Sequence, residues 1–309
     1  MTKVITVLGS TNIDKVVRVP RFAHGGETLK IDNHTIEVMG GKGLNQAVAA
    51  ARSGVLTQMI TKVGQEFDLA ANMADENLNT DGVLRSATEE TGQAYIMVSK
   101  ASGDNMIYIY GGANADMTKE DVATQADLIA KSDFLIAQLE IPVEAVIAGF
   151  KIAKEAGVTT ILNPAPMPEF GDLPEDLLNL TDIIIPNKHE TALLTGVNIN
   201  NESDLDANAA YFMDRGMHTV MITLGSKGAF YMTSDGKKGM VPSFKVAAVD
   251  TTAAGDTFIG AMATRLHANL DNIEEAMRYG SAASSLTVSR RGAQPSIPTE
   301  DEVLKVLGQ

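Results

Sequence analysis

Near its start the chain reads Val4-Ile5-Thr6-Val7-Leu8-Gly9-Ser10-Thr11-Asn12-Ile13-Asp14, an apolar run that passes directly into polar residues. Residues 4–8 are dominated by side chains that favour β-structure and carry no charge, which is typical of a strand buried on both faces. Similar runs recur along the chain, and we interpret all of them as strands of one sheet. They cover residues 59–63, 134–139, 159–162, 183–185 and 220–224.

Segments with a helical spacing of apolar residues lie between these runs, and each is about as long as a crossover helix. They cover residues 45–52, 119–130, 143–156, 188–194 and 205–215. Alternating strands and helices predict an α/β fold, in which a mostly parallel, doubly wound sheet is flanked by helices. Because no internal repeat or flexible linker interrupts the pattern, we expect a single domain spanning residues 1–309.

Two stretches, residues 14–40 and 91–111, depart from this alternation. The second contains two polar-apolar alternating runs, 95–99 and 106–110, which are joined by the turn Ser102-Gly103-Asp104-Asn105. Such a pattern predicts a β-hairpin. We therefore expect a small antiparallel sheet that projects from the main domain. Since one of its faces must be covered, it would serve as a lid over a ligand, as the contact of a homodimer, or as both.

Composition excludes several classes of function. The 25 Lys and Arg against 39 Asp and Glu give a formal net charge of -14, which disfavours nucleic acids and anionic membranes as partners. The absence of cysteine excludes disulfides, thiolate catalysis and thiolate metal sites. No apolar run approaches the roughly 18 residues that a membrane-spanning helix needs, and no secretory signal is recognisable. We therefore expect a cytoplasmic protein.

A candidate catalytic stretch runs Asp250-Thr251-Thr252-Ala253-Ala254-Gly255-Asp256-Thr257-Phe258 and leads into a helical segment at residues 259–266. Small residues before a helix let a ligand approach its free N–H groups and the positive end of its dipole, so residues 253–255 are candidates for an anion hole. Asp256 is then placed to take a proton from a hydroxyl group. The alternative interpretation makes Asp256 a helix cap and Gly255 part of a turn.

Polar and glycine-rich residues at other strand ends are candidates for ligand binding. Within residues 39–47, Lys42 and Asn45 would lie at the mouth of a helix, where they can bind hydroxyl groups. Asn12 and Asp14 follow the first strand and suit recognition of a polyol, although Asn and Asp are also common in turns. Neither the Walker A spacing nor G-x-G-x-x-G is present, which argues against P-loop nucleotidases and dinucleotide-dependent oxidoreductases.

Two further strand ends suit a nucleotide. Asn187 and Glu190 follow the strand at 183–185 and are candidates for organising a hydrated Mg²⁺, or alternatively for capping a helix. The stretch 223–228 follows the next strand, and its residues Gly225 and Gly228 would admit nucleotide phosphates.

Taken together, these motifs resemble the ribokinase-like, PfkB-type carbohydrate kinase family over essentially the whole chain. Residues 40–47 are similar to the first signature of that family and residues 250–258 to the second. The resemblance implies phosphorylation of D-ribose at its 5-hydroxyl by MgATP, with Asp256 as the general base and the amides of Ala253, Ala254 and Gly255 as the anion hole. Residues at sugar-contacting positions are Asn12, Asp14, Gly40, Gly41, Lys42, Asn45, Glu140 and Asp256. Those at the nucleotide site are Asn187, Glu190, Thr223, Leu224, Gly225, Ser226, Lys227, Gly228, Gly255 and Ser281.

The resemblance also implies a monovalent-cation site, normally filled by K⁺, beside the anion hole. Its matching residues, mostly carbonyl donors, are Asp250, Thr252, Thr287, Arg290, Gly292 and Ser296. The chain departs from the family where Gly-Asp-Asp is usual, because it carries Gly64-Gln65-Glu66-Phe67-Asp68-Leu69 near the sugar end. Two alternatives remain open: a kinase of another sugar, a nucleoside or a sugar phosphate, and a noncatalytic sugar-binding regulator that keeps the fold.

Overall fold

A computed structural model describes residues 3–31, 34–102, 104–167 and 172–309. In these ranges the chain forms thirteen strands and eleven α-helices. The strands are β1 (Val4–Leu8), β2 (Asn12–Val19), β3 (Ile36–Gly40), β4 (Leu56–Val63), β5 (Leu78–Arg85), β6 (Gly92–Ser99), β7 (Asn105–Tyr110), β8 (Phe134–Ala137), β9 (Thr159–Leu162), β10 (Ile183–Ile184), β11 (Thr219–Thr223), β12 (Ala229–Thr233) and β13 (Lys238–Val241). The helices are α1 (Lys42–Arg52), α2 (Leu69–Asn72), α3 (Lys119–Ala123), α4 (Ala126–Ala130), α5 (Val143–Ala156), α6 (Glu175–Asn179), α7 (Lys188–Thr195), α8 (Glu202–Met213), α9 (Ala254–Arg265), α10 (Ile273–Val288) and α11 (Glu300–Leu307).

Nine strands form the main sheet in the order β13-β12-β11-β10-β9-β8-β1-β4-β5. All neighbours from β5 to β11 pair in parallel, whereas β12 and β13 pair in antiparallel fashion at the other edge. The predicted mostly parallel sheet is therefore confirmed. Each of the six strands expected from the sequence is present.

Helices cover both faces of this sheet, because successive side chains of a strand point to opposite sides. Ile5 and Val7 of β1 pack with residues of α1, α9 and α10 in one hydrophobic cluster. Leu8 packs with residues of α5 and α8 in a second cluster on the other face. Both clusters are almost fully buried, which accounts for the uninterrupted apolar runs in the sequence.

The prediction of one continuous helix at residues 119–130 is wrong. The structure has two short helices, α3 and α4, because the chain leaves the helical path at Thr124 and Gln125. The Thr124 hydroxyl donates to the carbonyl of Asp121 at 2.6 Å and closes the first helix. The prediction at 143–156 agrees with α5, which ends at Gly157 in the left-handed conformation.

The predicted small sheet exists and contains four strands in the order β3-β2-β6-β7, hereafter called the lid. The sequence predicted a purely antiparallel sheet, and this is wrong for one pair of strands: β2 pairs with β6 in parallel, while β2–β3 and β6–β7 are antiparallel. The lid consists of two hairpins, β2–β3 and β6–β7. Their first strands, β2 and β6, both run away from the main sheet and lie side by side, so they pair in parallel. Residues 32–33 and Gly103 of the predicted lid stretches lie outside the described residues.

No helix in the described parts of the chain combines the length and the apolar character needed to cross a bilayer.

Candidate active site

Helix α9 begins where the carboxyl edge of the main sheet meets α1. Ala253 immediately precedes it in the left-handed conformation, with φ 59°. The N–H of Ala254 donates to the Thr251 carbonyl at 3.3 Å, and the first bond within the helix runs from Thr257 to Ala253. The N–H groups of Gly255 and Asp256 are therefore left without an acceptor in the helix, as helix geometry requires. They are donors that can meet an anion. Of the amides expected to form the anion hole, Gly255 is therefore available, whereas the N–H of Ala254 is already bonded to Thr251.

Asp256 occupies the third position of α9 and is only 8% exposed. Its Oδ1 accepts a hydrogen bond from Nε2 of Gln46 at 3.0 Å, and its Oδ2 accepts a longer one from Nδ2 of Asn45 at 3.4 Å. Both donors belong to α1. The carboxylate thus sits between two helix starts, with Oδ2 the more weakly engaged oxygen.

The sugar-binding residues expected from the sequence gather on the α1 side of Asp256. Asn12, Asp14 and Asn45 are each at most 6% exposed, and Oδ1 of Asp14 and Oδ1 of Asn45 have no hydrogen-bond partner among the described residues. Buried acceptors without a donor are rare in proteins, and hydroxyl groups of a ligand would satisfy them. Gly40 makes room for this arrangement, since a Cβ there would fall 2.1 Å from Oδ2 of Asp14.

Glu140 lies after β8, far from α1 in sequence, and its side chain contacts the first turn of α1. Its Oε2 accepts hydrogen bonds from Oγ of Ser10 at 2.5 Å and from the backbone N–H of Lys42 at 3.0 Å. A carboxylate at a helix N-terminus is stabilised by the helix dipole. Glu140 therefore ties β1, α1 and β8 together at the predicted sugar end.

Three carboxylates act electrostatically on the Lys42 ammonium group. Asp256 raises the pKa of Lys42, and Glu140 and Glu190 act in the same direction, although burial opposes them. The side chain is thus held in its charged form. It provides a positive charge between the predicted sugar end and the nucleotide end.

A cleft of 440 Å³ opens on the other side of the α9 start. It is lined by seven residues at positions that the sequence assigned to the nucleotide site or the anion hole: Thr223, Gly225, Ser226, Gly228, Ala254, Gly255 and Ser281. Leu224 and Lys227 do not line this cleft. Leu224 packs against the core, and Lys227 is exposed to solvent. Residues of the irregular segment 243–248 form another wall, and no motif in the sequence points to this segment.

Asn187 pairs with Thr223 in an isolated parallel bridge and caps α7. Its backbone N–H and Nδ2 donate to the two carboxylate oxygens of Glu190 at 2.8 and 2.6 Å. Burial raises the pKa of Glu190, against the hydrogen bond from Asn187. The capping interpretation is therefore confirmed, while the half-buried carboxylate remains at the edge of the site. In the described residues no group of three His, Asp or Glu side chains converges as a metal site.

The residues matched to the cation site lie on the loop before α9 and on the segment that runs from the end of α10 to residue 296, and Asp250 joins the two. Its Oδ1 accepts hydrogen bonds from the N–H and the hydroxyl of Thr252 at 3.0 and 2.6 Å, and its Oδ2 accepts one from the N–H of Gly292 at 3.0 Å. Burial alone would raise the pKa of Asp250, but these hydrogen bonds outweigh it and the pKa lies below its ordinary value. Thr287 and Ser296, which lie within five residues of Gly292 in sequence, are fully buried, and Arg290 is partly buried.

The loop that departs from the family pattern is anchored to the base of the lid. Nε2 of Gln65 donates to the Ser86 carbonyl at 2.8 Å, and Oε1 of Glu66 accepts from the N–H of Thr91 at 2.8 Å. Thr91 directly precedes lid strand β6. The residues that differ from the family pattern therefore lie in a loop that holds the start of lid strand β6 in place.

Sequence reasoning missed a set of buried amides around the site. Nδ2 of Asn114 donates to Oδ1 of Asn12 at 2.7 Å, and Gln46 contacts Asp256 as described above. Gln138 and Asn163 in turn contact Gln46. A single sequence gives no signal for them, because these residues come from four separate segments and meet only after folding.

Comparison with known proteins agrees with the site geometry. The chain is 52% identical to a bifunctional ribokinase/ribose-5-phosphate isomerase A of Fructilactobacillus sanfranciscensis, over 99% of this chain and 56% of that protein. It is 46% identical to a ribokinase of Staphylococcus aureus, over 99% of this chain and all of that protein.

Among solved structures, an Arabidopsis thaliana ribokinase complexed with ribose and ATP superposes with a TM-score of 0.90 at 32% identity, and both chains are fully covered. The sequence model for pfkB family carbohydrate kinases matches residues 2–300. By this match, by its relatives and by its fold, the chain belongs to the pfkB family of carbohydrate kinases.

Proposed function

We propose that this enzyme transfers the terminal phosphoryl group of ATP to the 5-hydroxyl of D-ribose, giving ribose 5-phosphate and ADP. One observation carries the proposal: the Asp256 carboxylate lies between buried sugar-side acceptors without partners and a cleft that includes Gly255. The ribokinases reported above support ribose as the acceptor. The structure of the plant relative with ribose and ATP supports a shared site for the two substrates.

In the proposed mechanism Asp256 acts as the general base. Its Oδ2 takes the proton of the sugar hydroxyl while the hydroxyl oxygen bonds to the terminal phosphorus and the bond from that phosphorus to the ADP oxygen breaks. The free N–H groups of Gly255 and Asp256, together with the α9 dipole, stabilise the negative charge on the phosphoryl oxygens. The Lys42 ammonium lies near Asp256 and adds a positive charge.

We propose that Mg²⁺ enters with ATP near Asn187 and Glu190. Both carboxylate oxygens of Glu190 already accept hydrogen bonds, so the residue fits contact through metal-bound water. When bound, the ion neutralises phosphate charge. The two protein residues would orient its water shell.

We also propose that a monovalent cation, K⁺, binds between the loop at 250–252 and the segment 287–296, which begins with the last turn of α10. The residues fit such an ion because the hydrogen bonds of Asp250 hold the two segments side by side. The oxygen donors would come from Asp250, Thr252, Thr287, Arg290, Gly292 and Ser296. When bound, the ion would fix the loop that leads into α9.

We propose further that the lid covers the bound sugar and pairs two copies of the chain. Strand β7 is exposed along its whole length, with Ile107 49%, Tyr108 56% and Ile109 51% exposed. Exposed apolar strands of this kind usually mark an interaction surface. Because ATP and sugars for phosphorylation are found in the cytoplasm, we place the enzyme there.

The proposal is tested by sugar-dependent ADP release, measured over ribose, deoxyribose, fructose, adenosine and fructose 6-phosphate in K⁺ and in Na⁺. We expect the highest kcat/KM for ribose and a higher rate in K⁺. A preference for another acceptor would assign a different kinase of the family. Sugar binding without turnover would assign a noncatalytic regulator, and equal rates in both salts would contradict the cation site.

A further inference from the structure

We infer that Gln46 is a positioning residue for the phosphoryl transfer: it holds one oxygen of the Asp256 carboxylate and leaves the other, which Asn45 contacts at 3.4 Å, to face the acceptor hydroxyl. This inference rests on the proposed function, since it assigns a role toward the proposed general base. Gln46 is fully buried. It therefore acts through Asp256 and does not itself touch the substrate.

The orientation of the Gln46 amide is fixed from both ends. Its Nε2 donates to Oδ1 of Asp256 at 3.0 Å and to Oδ1 of Asn163 at 3.2 Å. Its Oε1 accepts from Nε2 of Gln138 at 2.6 Å. An amide has two N–H donors, so both are used, and the donor from Gln138 prevents the oxygen from turning toward the carboxylate.

The partners of Gln46 are themselves held by the main sheet. Gln138 directly follows β8 and is fully buried, whereas Asn163 directly follows β9 and is 7% exposed. Nδ2 of Asn163 donates to the Ile185 carbonyl at 3.0 Å, next to β10. Three neighbouring strand ends thus support one amide, which makes a rigid platform behind the carboxylate.

This support distinguishes the two oxygens of Asp256. Oδ1 has a donor at 3.0 Å in a fixed position, whereas the donor to Oδ2, from Asn45, lies at 3.4 Å. Asn45 is also one of the residues expected to bind the sugar, and its own Oδ1 has no partner. Oδ2 is consequently the oxygen that faces the acceptor. A base held in this way keeps its reacting atom aligned, and a misplacement of about 1 Å can cost roughly 100-fold in rate.

If Gln46 had only a structural role, its substitution would lower stability without a specific loss of kcat. Gln58 provides a matched control for this alternative. Gln58 on β4 is also buried, and its Nε2 donates to Oγ1 of Thr6 at 2.9 Å and to the Leu128 carbonyl at 3.1 Å. It is not part of the site. Gln58→Met therefore removes a comparable set of buried hydrogen bonds without touching Asp256.

The test compares Gln46→Met with Gln58→Met in the full-length protein. We expect Gln46→Met to lower kcat by about 10- to 100-fold with the KM for ribose and for ATP within about 3-fold of wild type. Gln58→Met should reduce Tm at least as much while kcat stays within about 2-fold. If Gln46→Met does not fold, Gln138→Met releases the same amide from one side and should lower kcat by about 3- to 10-fold.

A double-mutant cycle provides the second readout. If Gln46 acts through Asp256, Gln46→Met should change the kcat of Asp256→Asn by less than about 3-fold. Full multiplication of the two effects, or a Gln46→Met enzyme with normal kcat, would overturn the positioning role while the proposed function stands. A wild-type enzyme without sugar-dependent turnover would overturn the proposed function, and the inference with it.

Discussion

The α-carbon of Gly260 in α9 lies against the carbonyl oxygen of Gln46 in α1, so closely that a Cβ at position 260 would fall 2.2 Å from that oxygen. Residues four apart share a face of a helix, so Asp256 and Gly260 both face α1. The missing side chain at Gly260 therefore allows the approach that brings Asp256 within reach of Gln46 and Asn45.

Gly260→Ala should reduce both stability and turnover. Alanine is intrinsically better in a helix by about 1 kcal/mol, but the overlap here is with backbone, which no side-chain rotation relieves. We expect a net loss of about 1–3 kcal/mol in the free energy of unfolding, and a lower kcat because α9 shifts away from α1. Urea unfolding and ADP release measure the two effects.

Gly149→Ala in α5 is the matched control for that substitution. A Cβ there meets Cδ2 of Leu8 at 2.5 Å, which is the end of a flexible side chain on the other face of the sheet. Its kcat should remain normal. If Gly260→Ala left kcat and stability unchanged, the close approach of the two helices would not matter for the site.

Asp256→Asn should lower kcat by roughly 100-fold or more, because an amide cannot accept the hydroxyl proton. Its volume and its place at the start of α9 are retained, so the affinity for ribose should change little. Steady-state kinetics and calorimetric titration with ribose separate these quantities. Near-normal kcat in this variant would contradict the role of general base.

The positions of Asn12, Asp14, Asn45 and Asp256 could be predicted because each follows a strand or begins a helix, and parallel strands bring such ends to one edge. The buried amides could not. Gln46 lies inside a helix and Gln138 within an apolar stretch, where a sequence gives no sign of what the amide contacts.

Strands β12 and β13 were missed for a different reason. They form a hairpin around Gly236, whose φ is 86°, and the letters Ser234-Asp235-Gly236 do carry a turn signal. The antiparallel pair lies at the edge of a parallel sheet, where the strand-helix alternation no longer applies. Edge strand β5 was missed because its sequence, LNTDGVLR, has no continuous apolar face.

Glu140→Ala should raise the KM for ribose far more than the KM for ATP. The carboxylate fixes Ser10 and the N–H of Lys42 at the sugar end, and its loss frees the start of α1. Kinetics with each substrate varied in turn measure the two constants. Exposed Glu144 on α5 gives the control Glu144→Ala, for which both constants should stay normal. A larger effect on ATP would assign Glu140 to the other end of the site.

Charged residues on β7 should separate the proposed dimer. Ile107→Asp combined with Ile109→Asp places two carboxylates on the exposed lid strand, and desolvating them in an interface is unfavourable. Analytical ultracentrifugation should show a dimer for the wild type and a monomer for the double variant. Leu193→Asp on α7, where the leucine is 52% exposed, is the control and should stay dimeric. A monomeric wild type would contradict pairing through the lid.

Asp14 should make the stability of the ligand-free protein depend on pH. Burial raises the pKa of Asp14 to about 7, with Glu140 and Asp256 adding in the same direction. Between about pH 4 and pH 7 the folded state therefore keeps a proton that the unfolded chain releases. The free energy of unfolding falls as pH rises through this window, by up to about 4 kcal/mol, and the loss is complete above it.

Asp14→Asn removes this titration and should stabilise the protein at pH 8 relative to wild type, with a smaller difference at pH 5. Urea unfolding of both proteins at the two pH values measures the change, and the difference between them cancels the other titrating groups. Asp81→Asn replaces an exposed aspartate on β5 and should leave the pH dependence as in the wild type. If the advantage of Asp14→Asn were equal at both pH values, Asp14 would be ionised throughout, and an unseen donor would have to satisfy its buried oxygen.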